Sequence, residues 1–535
     1  MDVKQTGSPA QEQQSNRLDK SQYGHLTVLL FLILAYPLIS MLWHHDYPVF
    51  SAEIGLILAC FALLAGLLSM LLQYVRSAVA NLLVLTVLTL AFLIQFNPLF
   101  VGLIAIVASG LIMAFSLGKH FQTLLMPVVI ALIIGAFIDS RIDRAGNSPE
   151  QVNRPQESAK GTVIHILLDG FIGADGLPGF EASQSLRSEM MAFFEEYGFQ
   201  LHTRAYSHYS STIDTMTRAM NFRNDDENIF QRTVLSHEPL SIGENAWFKA
   251  LREYGYPVSV YQTESMDFCD AEPSVVSSCN VFPIPNLKSI HTGVSHFWAR
   301  APVLLRTLIR QSLVISMILK RSGEIDLWGV STYDERMLEE LARDIRIRPG
   351  GAHFAHILLP HPPLVYRRDC TLDYESETWL RFTANYGRVG NSEKSQYMRY
   401  EKYAENAKCA LAELGALFKT LKDAGLYEQA TIVVHGDHGG SLYLYAPSIK
   451  NTELMSFGDL RESYSVLFAV KYPHGKFSVD EQTVSLNVLM ARTIAGITGL
   501  SQEQLGISVL SEDKPFIYMS YSFPLTRKNV DIFSE

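Results

Sequence analysis

Residues Thr431 to Gly440 read TIVVHGDHGG, a β-branched run that ends in Asp437, His438 and a pair of glycines. A parallel strand buried on both faces has this pattern, closing where the chain turns sharply at the edge of a sheet. An acid and an imidazole side by side at that edge are placed to hold a metal ion. The same residues also suit a plain solvated turn, because Asp and Gly both favour turns. The rest of the chain has to decide between the two.

Outward from this stretch the sequence alternates strands and helices. Further strands are expected at Thr162–Leu168, Pro257–Gln262, Phe354–Leu359 and Tyr464–Val470, with helices near 183–197, 244–254, 398–424 and 483–498. That alternation predicts an α/β domain around a central, largely parallel sheet, spanning 161–535. Parallel strands bring their carboxyl ends to one edge, so residues that end different strands can meet there.

The preceding sequence has a different character. The chain of 535 residues is 48% hydrophobic and 18% charged, and its apolar residues crowd into 26–139, where charge is almost absent. Five runs, about 26–43, 53–75, 78–96, 99–117 and 121–139, approach the roughly 17–25 apolar residues that cross a bilayer as a helix. They lack the polar face of buried helices in a soluble core. The expectation is therefore an α-helical transmembrane bundle of five spans. Residues 1–25 form a polar tail without the pattern of a cleaved signal peptide, and 140–160 form a polar linker with two prolines.

Lys4, Arg17 and Lys20 precede the first run, Arg76 follows the second and Lys119 follows the fourth, while the alternate connections carry no Lys or Arg. This asymmetry puts the N-terminus in the cytoplasm and everything after 139 outside. The net charge of −10, with no long basic block, argues against nucleic acid as a partner. In an exported domain Cys269 and Cys279 can close a ten-residue loop as a disulfide, and Cys370 with Cys409 is a second candidate pair. Ala301–Lys320 is a long apolar stretch interrupted by Arg306 and Arg310. It reads as an amphipathic core helix, with a helix lying on the outer membrane face as the alternative.

Three further places can carry chemistry. The first strand ends in Asp169, where an acid can serve as ligand or base, or merely cap a turn. Residues 207–222, SHYSSTIDTMTRAMNF, cluster hydroxyls ahead of a helical pattern. A hydroxyl there commonly caps free N–H groups. The same position suits a nucleophile, because the helix N-terminus favours an anionic substrate. His361 lies between two prolines in LPHPP, after another strand end, and can donate a hydrogen bond to a phosphoryl oxygen or a leaving group. His356 falls inside that strand and reads as core, and neither His165 nor His435 is given a chemical role.

Taken in order, HILLDG, SSTIDT, LPHPP and VVHGDHGG resemble the alkaline phosphatase/sulfatase superfamily. The chain is most similar to its membrane-anchored phosphotransferases, such as lipoteichoic acid synthases and lipid A phosphoethanolamine transferases. The resemblance implies that Asp169, Thr212, Asp437 and His438 are ligands of one divalent metal, zinc or manganese. It implies that Thr212 is also the nucleophile and that His361 binds the phosphoryl group. Thr212 then takes a phospho-alcohol headgroup from a phospholipid as a phosphothreonine, and a second alcohol, on a glycan or glycolipid, removes it. The implied setting is a multi-pass protein of the bacterial inner membrane with its catalytic domain on the periplasmic side.

Some positions depart from the family pattern. Sulfatases place Pro and Arg two and four residues after their nucleophile, where this chain has Asp214 and Met216. Gly170 stands where two-metal members carry a second acid, which fits a single metal. His435-Gly436 replaces the more usual serine before Asp437. A hydrolase of phosphate or sulfate esters, with water as acceptor, is the alternative enzyme. A non-catalytic polymer-binding or assembly protein is the alternative outside enzymes. Ser211 and Thr215 stay open beside Thr212 as the attacking hydroxyl.

Overall fold

A computed structural model describes residues 20–44, 47–73, 161–225, 240–269, 275–282, 300–301, 304–305, 307–308, 336–362, 364–373, 392–505, 515–519 and 525–534. The chain divides into two compact units, one of Met1–Gly146 with Ser295–Gly329, the other of Asn147–Val294 with Val330–Glu535.

In the first unit, α1 (Lys20–His44) and α2 (Ala52–Gln73) are helices. Among the described residues one helix is long and apolar enough to cross a membrane, Ala52–Leu71. The expected runs at 78–96, 99–117 and 121–139 lie outside the described residues. Arg300 Nη2 lies 3.2 Å from Glu53 Oε2, and Glu53 also takes the hydroxyl of Tyr47. Leu304 and Leu308 are buried in the same turn of chain. Most of Ala301–Lys320, expected as an amphipathic core helix, lies outside the described residues.

The second unit is built on an eight-stranded sheet. Its strands are β1 (Val163–Leu168), β2 (Gln200–His202), β3 (Val258–Thr263), β4 (Val276–Phe282), β5 (Ala352–Ile357), β6 (Thr431–Gly436), β7 (Phe468–Lys471) and β8 (Ser478–Asp480). They lie in the order β8-β2-β7-β6-β1-β5-β3-β4. β1 is parallel to β5 on one side and β6 on the other, with Val163 opposite both Ala352 and Thr431. Only β7 runs against its neighbours β6 and β2. Every residue of β1, β5 and β6 is buried, which is why these strands are near-continuous apolar runs.

The helices are α3 (Glu181–Glu196), α4 (Thr212–Ala219), α5 (Ala246–Glu253), α6 (Arg336–Ile347), α7 (Glu393–Asp423), α8 (Phe457–Tyr464) and α9 (Leu486–Thr498). Trp247, Phe248, Phe354, Phe468, Leu489 and Ile494 belong to one continuous core. Burial of each such side chain stabilises the fold by about 1.5–3 kcal/mol. Phe418 of α7 packs on Phe193 of α3 and on Phe199. The strand expected from Tyr464 begins only at Phe468, because the Ser456–Asp459 capping box starts a helix that runs through Tyr464. Both expected disulfides are present, Cys269–Cys279 and Cys370–Cys409.

The three central strands therefore deliver three loops to one edge. Asp169 follows β1, His361 follows β5, and Asp437 with His438 follows β6.

Candidate functional site

Asp169 and Asp437 reach each other across the gap between adjacent parallel strands, and each uses one carboxylate oxygen locally. His356 Nε2 lies 3.2 Å from Asp169 Oδ2, and the Gly170 N–H donates to Asp437 Oδ1 at 2.9 Å. The other two oxygens, Asp169 Oδ1 and Asp437 Oδ2, are buried without a hydrogen-bond partner among the described residues. Both face the His438 imidazole, whose Nε2 is 3.6 Å from Asp169 Oδ1 and 3.4 Å from Asp437 Oδ2. His438 Nδ1 lies 2.7 Å from the Gly439 carbonyl. That carbonyl can only accept, so Nδ1 carries a proton, which leaves Nε2 as the ring nitrogen that faces the two oxygens and could ligate a cation.

One donor atom from each of Asp169, Asp437 and His438 lies within 4.8 Å of the others. Two buried carboxylate oxygens without partners and an imidazole nitrogen beside them fit a divalent cation. Without one, the electrostatics are strained. Burial, then the facing Asp169, push the Asp437 carboxyl above its usual range. Burial also disfavours ionised Asp169, but His361, His356 and His438 outweigh it and hold that carboxyl well below the usual range. His438 is raised, because Asp437 and Asp169 together overcome the opposing effect of burial.

Thr212 completes the cluster. It is the first residue of α4, and its Oγ1 lies 3.2 Å from His438 Nε2 and 3.4 Å from Asp169 Oδ2. The neighbouring hydroxyls are engaged elsewhere. Ser211 is the helix N-cap and donates to Asp214 Oδ2 at 2.6 Å, while Thr215 is fully buried against Ser207 Oγ at 2.9 Å. The alternatives left open by the sequence thus separate by geometry, and only Thr212 among the three faces the carboxylates. Beneath it the buried Arg218 pairs with Asp214 and Asp225 and lies over the Tyr209 ring.

His361 lies beside the cluster, its Cα 3.9 Å from where a Cβ on Gly170 would sit, and its Nδ1 is buried without a partner among the described residues. All five residues singled out from the sequence are therefore brought to one place. Reasoning from sequence missed His356, read as core, which bonds Asp169. The register held a signal for it: His356 lies opposite Leu167, two residues before Asp169 and so on the same face of the sheet. It also missed Glu462 of α8, which is fully buried and takes the Leu442 N–H at 2.5 Å. Burial raises its carboxyl to about 7. The backbone approach there is very close, since a Cβ on Gly439 would fall 1.4 Å from the Glu462 carbonyl oxygen, so no larger residue fits.

The sulfatase family profile matches residues 162–500. No curated protein matches the chain. Among solved structures, the zinc complex of the C-terminal periplasmic domain of EcEptC from Escherichia coli is 12% identical, with a TM-score of 0.42, over 70% of this chain and 94% of that one. The periplasmic domain of phosphoethanolamine transferase EptC from Campylobacter jejuni is 12% identical, with a TM-score of 0.37, over 66% and 96%. Phosphonate monoester hydrolase SpPMH from Silicibacter pomeroyi is 14% identical, with a TM-score of 0.38, over 69% and 81%.

Proposed function

The chain belongs to the sulfatase family, and from that premise we propose that it is a membrane-bound phosphotransferase dependent on one divalent metal, zinc or manganese. It moves a phospho-alcohol headgroup, phosphoethanolamine or phosphoglycerol, from a phospholipid to an extracytoplasmic glycan or glycolipid. The observation that carries this reading is the Thr212 hydroxyl at the start of α4, 3.2 Å from His438 and 3.4 Å from Asp169, beside two unpartnered carboxylate oxygens. Asp214 and Met216, where sulfatases carry Pro and Arg, favour phosphoryl over sulfate chemistry.

Asp169, Asp437, His438 and Thr212 would hold the metal. When bound, it lowers the pKa of a ligating hydroxyl and offsets charge on a phosphoryl oxygen. Thr212 Oγ1 attacks phosphorus, its proton passes to solvent, and the bond from phosphorus to the diacylglycerol oxygen breaks, that oxygen taking a proton from solvent to leave as the alcohol. The free N–H groups at the start of α4 stabilise the added negative charge. His361 donates to a phosphoryl oxygen and orients the group. An acceptor hydroxyl then attacks the phosphothreonine, and Thr212 leaves with its proton restored.

The apolar helix Ala52–Leu71 supports a membrane anchor, which keeps the site near lipid headgroups. In this reading 1–25 are a cytoplasmic tail, 26–139 the five-span bundle, 140–160 a linker and 161–535 the periplasmic catalytic domain of a bacterial inner-membrane protein.

The test is mass spectrometry of the Thr212 peptide after incubating detergent-purified protein with phosphatidylethanolamine or phosphatidylglycerol and Zn2+ or Mn2+, beside Thr212→Ala. A headgroup adduct on Thr212 with released diacylglycerol is the expected result, and it names the donor. Metal-loaded protein that gives neither adduct nor diacylglycerol with either lipid overturns the lipid-donor reading. Hydrolysis of simple phosphate esters then becomes the reading to pursue.

A further inference from the structure

Beyond the strand ends the ligand loops keep a few backbone bonds, Asp169 N–H to the Ile357 carbonyl and Gly439 N–H to the Ser463 carbonyl, both at 3.0 Å, yet a metal site needs its ligands placed within about 0.5 Å. One helix supplies what the sheet does not. The hydroxyl of Tyr403, on α7, donates to the Gly170 carbonyl at 3.0 Å and accepts from the Ile172 N–H at 2.7 Å, gripping the loop behind Asp169. The ring of the same tyrosine lies against the loop behind His438, where a Cβ on Gly440 would fall 2.8 Å from Tyr403 Cε2. One turn earlier, Arg399 Nη2 donates to the carbonyls of Leu442 at 3.1 Å and Tyr443 at 3.3 Å. The Leu442 N–H is held at the same time by Glu462.

The third loop is tied to the next turn of the same helix. Asn406 donates from Nδ2 to the Tyr366 carbonyl at 3.0 Å and accepts the Tyr366 N–H on Oδ1 at 3.3 Å, behind His361. Cys409 adds its disulfide to Cys370. Residues 399, 403 and 406 are spaced four and three apart, so they form one stripe on a rigid rod that rises about 1.5 Å per residue. Tyr403 is fully buried and Arg399 is 5% exposed, so neither reaches solvent to serve another purpose.

We propose that Arg399 and Tyr403 are positioning residues for the metal centre, setting the distance between the Asp169 loop and the His438 loop through two anchor points on α7. The proposal rests on reading Asp169, Asp437 and His438 as metal ligands. Each fixes the backbone of a loop that presents a ligand. Removing supporting groups around a metal site weakens affinity by roughly 10–100-fold.

The experiment titrates full-length, detergent-solubilised protein, stripped of metal, with Zn2+ against a chromophoric chelator, and melts the same samples without metal. The wild type is measured first. If it binds no Zn2+ stoichiometrically, the metal reading itself fails, a result distinct from any difference between variants. Tyr403→Phe keeps the ring against Gly440 and deletes both hydroxyl bonds. Its Zn2+ affinity is expected to fall roughly 10-fold or more, with activity recovering at saturating metal. Arg399→Lys keeps the charge, loses the two-carbonyl fork, and is expected to lose affinity to a similar degree. Should Arg399→Lys fail to fold, Tyr403→Phe carries the test alone. Wild-type Zn2+ affinity in Tyr403→Phe, with or without a lower melting temperature, assigns Tyr403 to stability alone and overturns the proposal.

Discussion

β1 and β6 lie side by side, and each carries a histidine within the strand and an aspartate just beyond it, but the two levels behave in opposite ways. Inside the sheet, His165 Nε2 and His435 Nε2 meet at 2.7 Å. His435 Nδ1, 2.7 Å from the Gly436 carbonyl, must donate to it, so His435 Nε2 accepts and His165 Nε2 donates. Trp247 and Phe354 pack against the His165 ring, and Phe468 stacks on His435. Burial holds both imidazoles below their ordinary value, His435 at about 4, so both are neutral. Beyond the strand ends, Asp169, Asp437 and His438 are also buried but leave two carboxylate oxygens unmatched among the described residues. Residue type does not separate structure from chemistry here. Place relative to the strand end does: an unmatched atom inside the strand, such as His165 Nδ1, belongs to a neutral ring, whereas beyond the strand ends the unmatched atoms are carboxylate oxygens.

The largest effect expected from that contrast is a separation of activity from stability at Asp437. Asp437→Ala removes a proposed metal ligand and one member of a repelling carboxylate pair. Transfer activity should fall on the order of 10³-fold or more, as when one member of a catalytic constellation is lost. The melting temperature of the metal-free protein should stay level or rise, since a strained polar group has gone. A steep loss of thermal stability in the metal-free variant would break the comparison, because Asp437 would then be holding the fold in the manner of His435.

The same contrast explains what the sequence made legible. TVIHILLD and TIVVHGDH each show a β-branched or apolar run closed by an acid, and such a signal is local: period, terminus and ligand all fall within ten residues. Thr212 was legible for a similar reason, as a hydroxyl opening a helical pattern. The groups that hold the site in register were not. Arg399 and Tyr403 sit in an ordinary amphipathic helix, and their partners Leu442 and Gly170 are distant in sequence. Glu462 looks like any helical glutamate until its helix is packed. Strands β2 and β8 are only three residues each, and β4, VSSCNVF, lies at the sheet edge with polar residues through its middle. Edge strands need no continuous apolar run, so a search for buried strands passes over them.

A smaller effect probes the interior level. His165→Ala leaves a cavity between Trp247 and Phe354 and strips the His435 lone pair of its donor. Large-to-small changes at such sites cost about 2–5 kcal/mol, with the lost hydrogen bond included in that range. Thermal melts should show the loss, while the Zn2+ affinity of the folded protein stays within a few-fold of wild type. A large drop in affinity would merge the two levels by showing that the buried pair supports the ligands.

The smallest expected effect is a pH dependence of stability owed to that pair. A histidine held below its ordinary value in the folded state stays neutral there while the unfolded chain takes up protons. Its contribution is therefore whole above about 6.5 and drains away as pH falls toward the folded-state value. For His435 that value is about 4, and the linkage amounts to about 2 kcal/mol lost between pH 7 and pH 5. His165, also lowered, acts in the same direction. His435→Gln removes the titration while its side-chain oxygen can still accept from His165. Melted in the presence of a chelator, so that ligand protonation at His438 does not compete with metal, this variant should lose less stability between pH 7 and pH 5 than the wild type. An unchanged slope would show that the acid sensitivity is not owed to His435; the raised Asp437 carboxyl works the other way, since its protonation relieves the repulsion from Asp169.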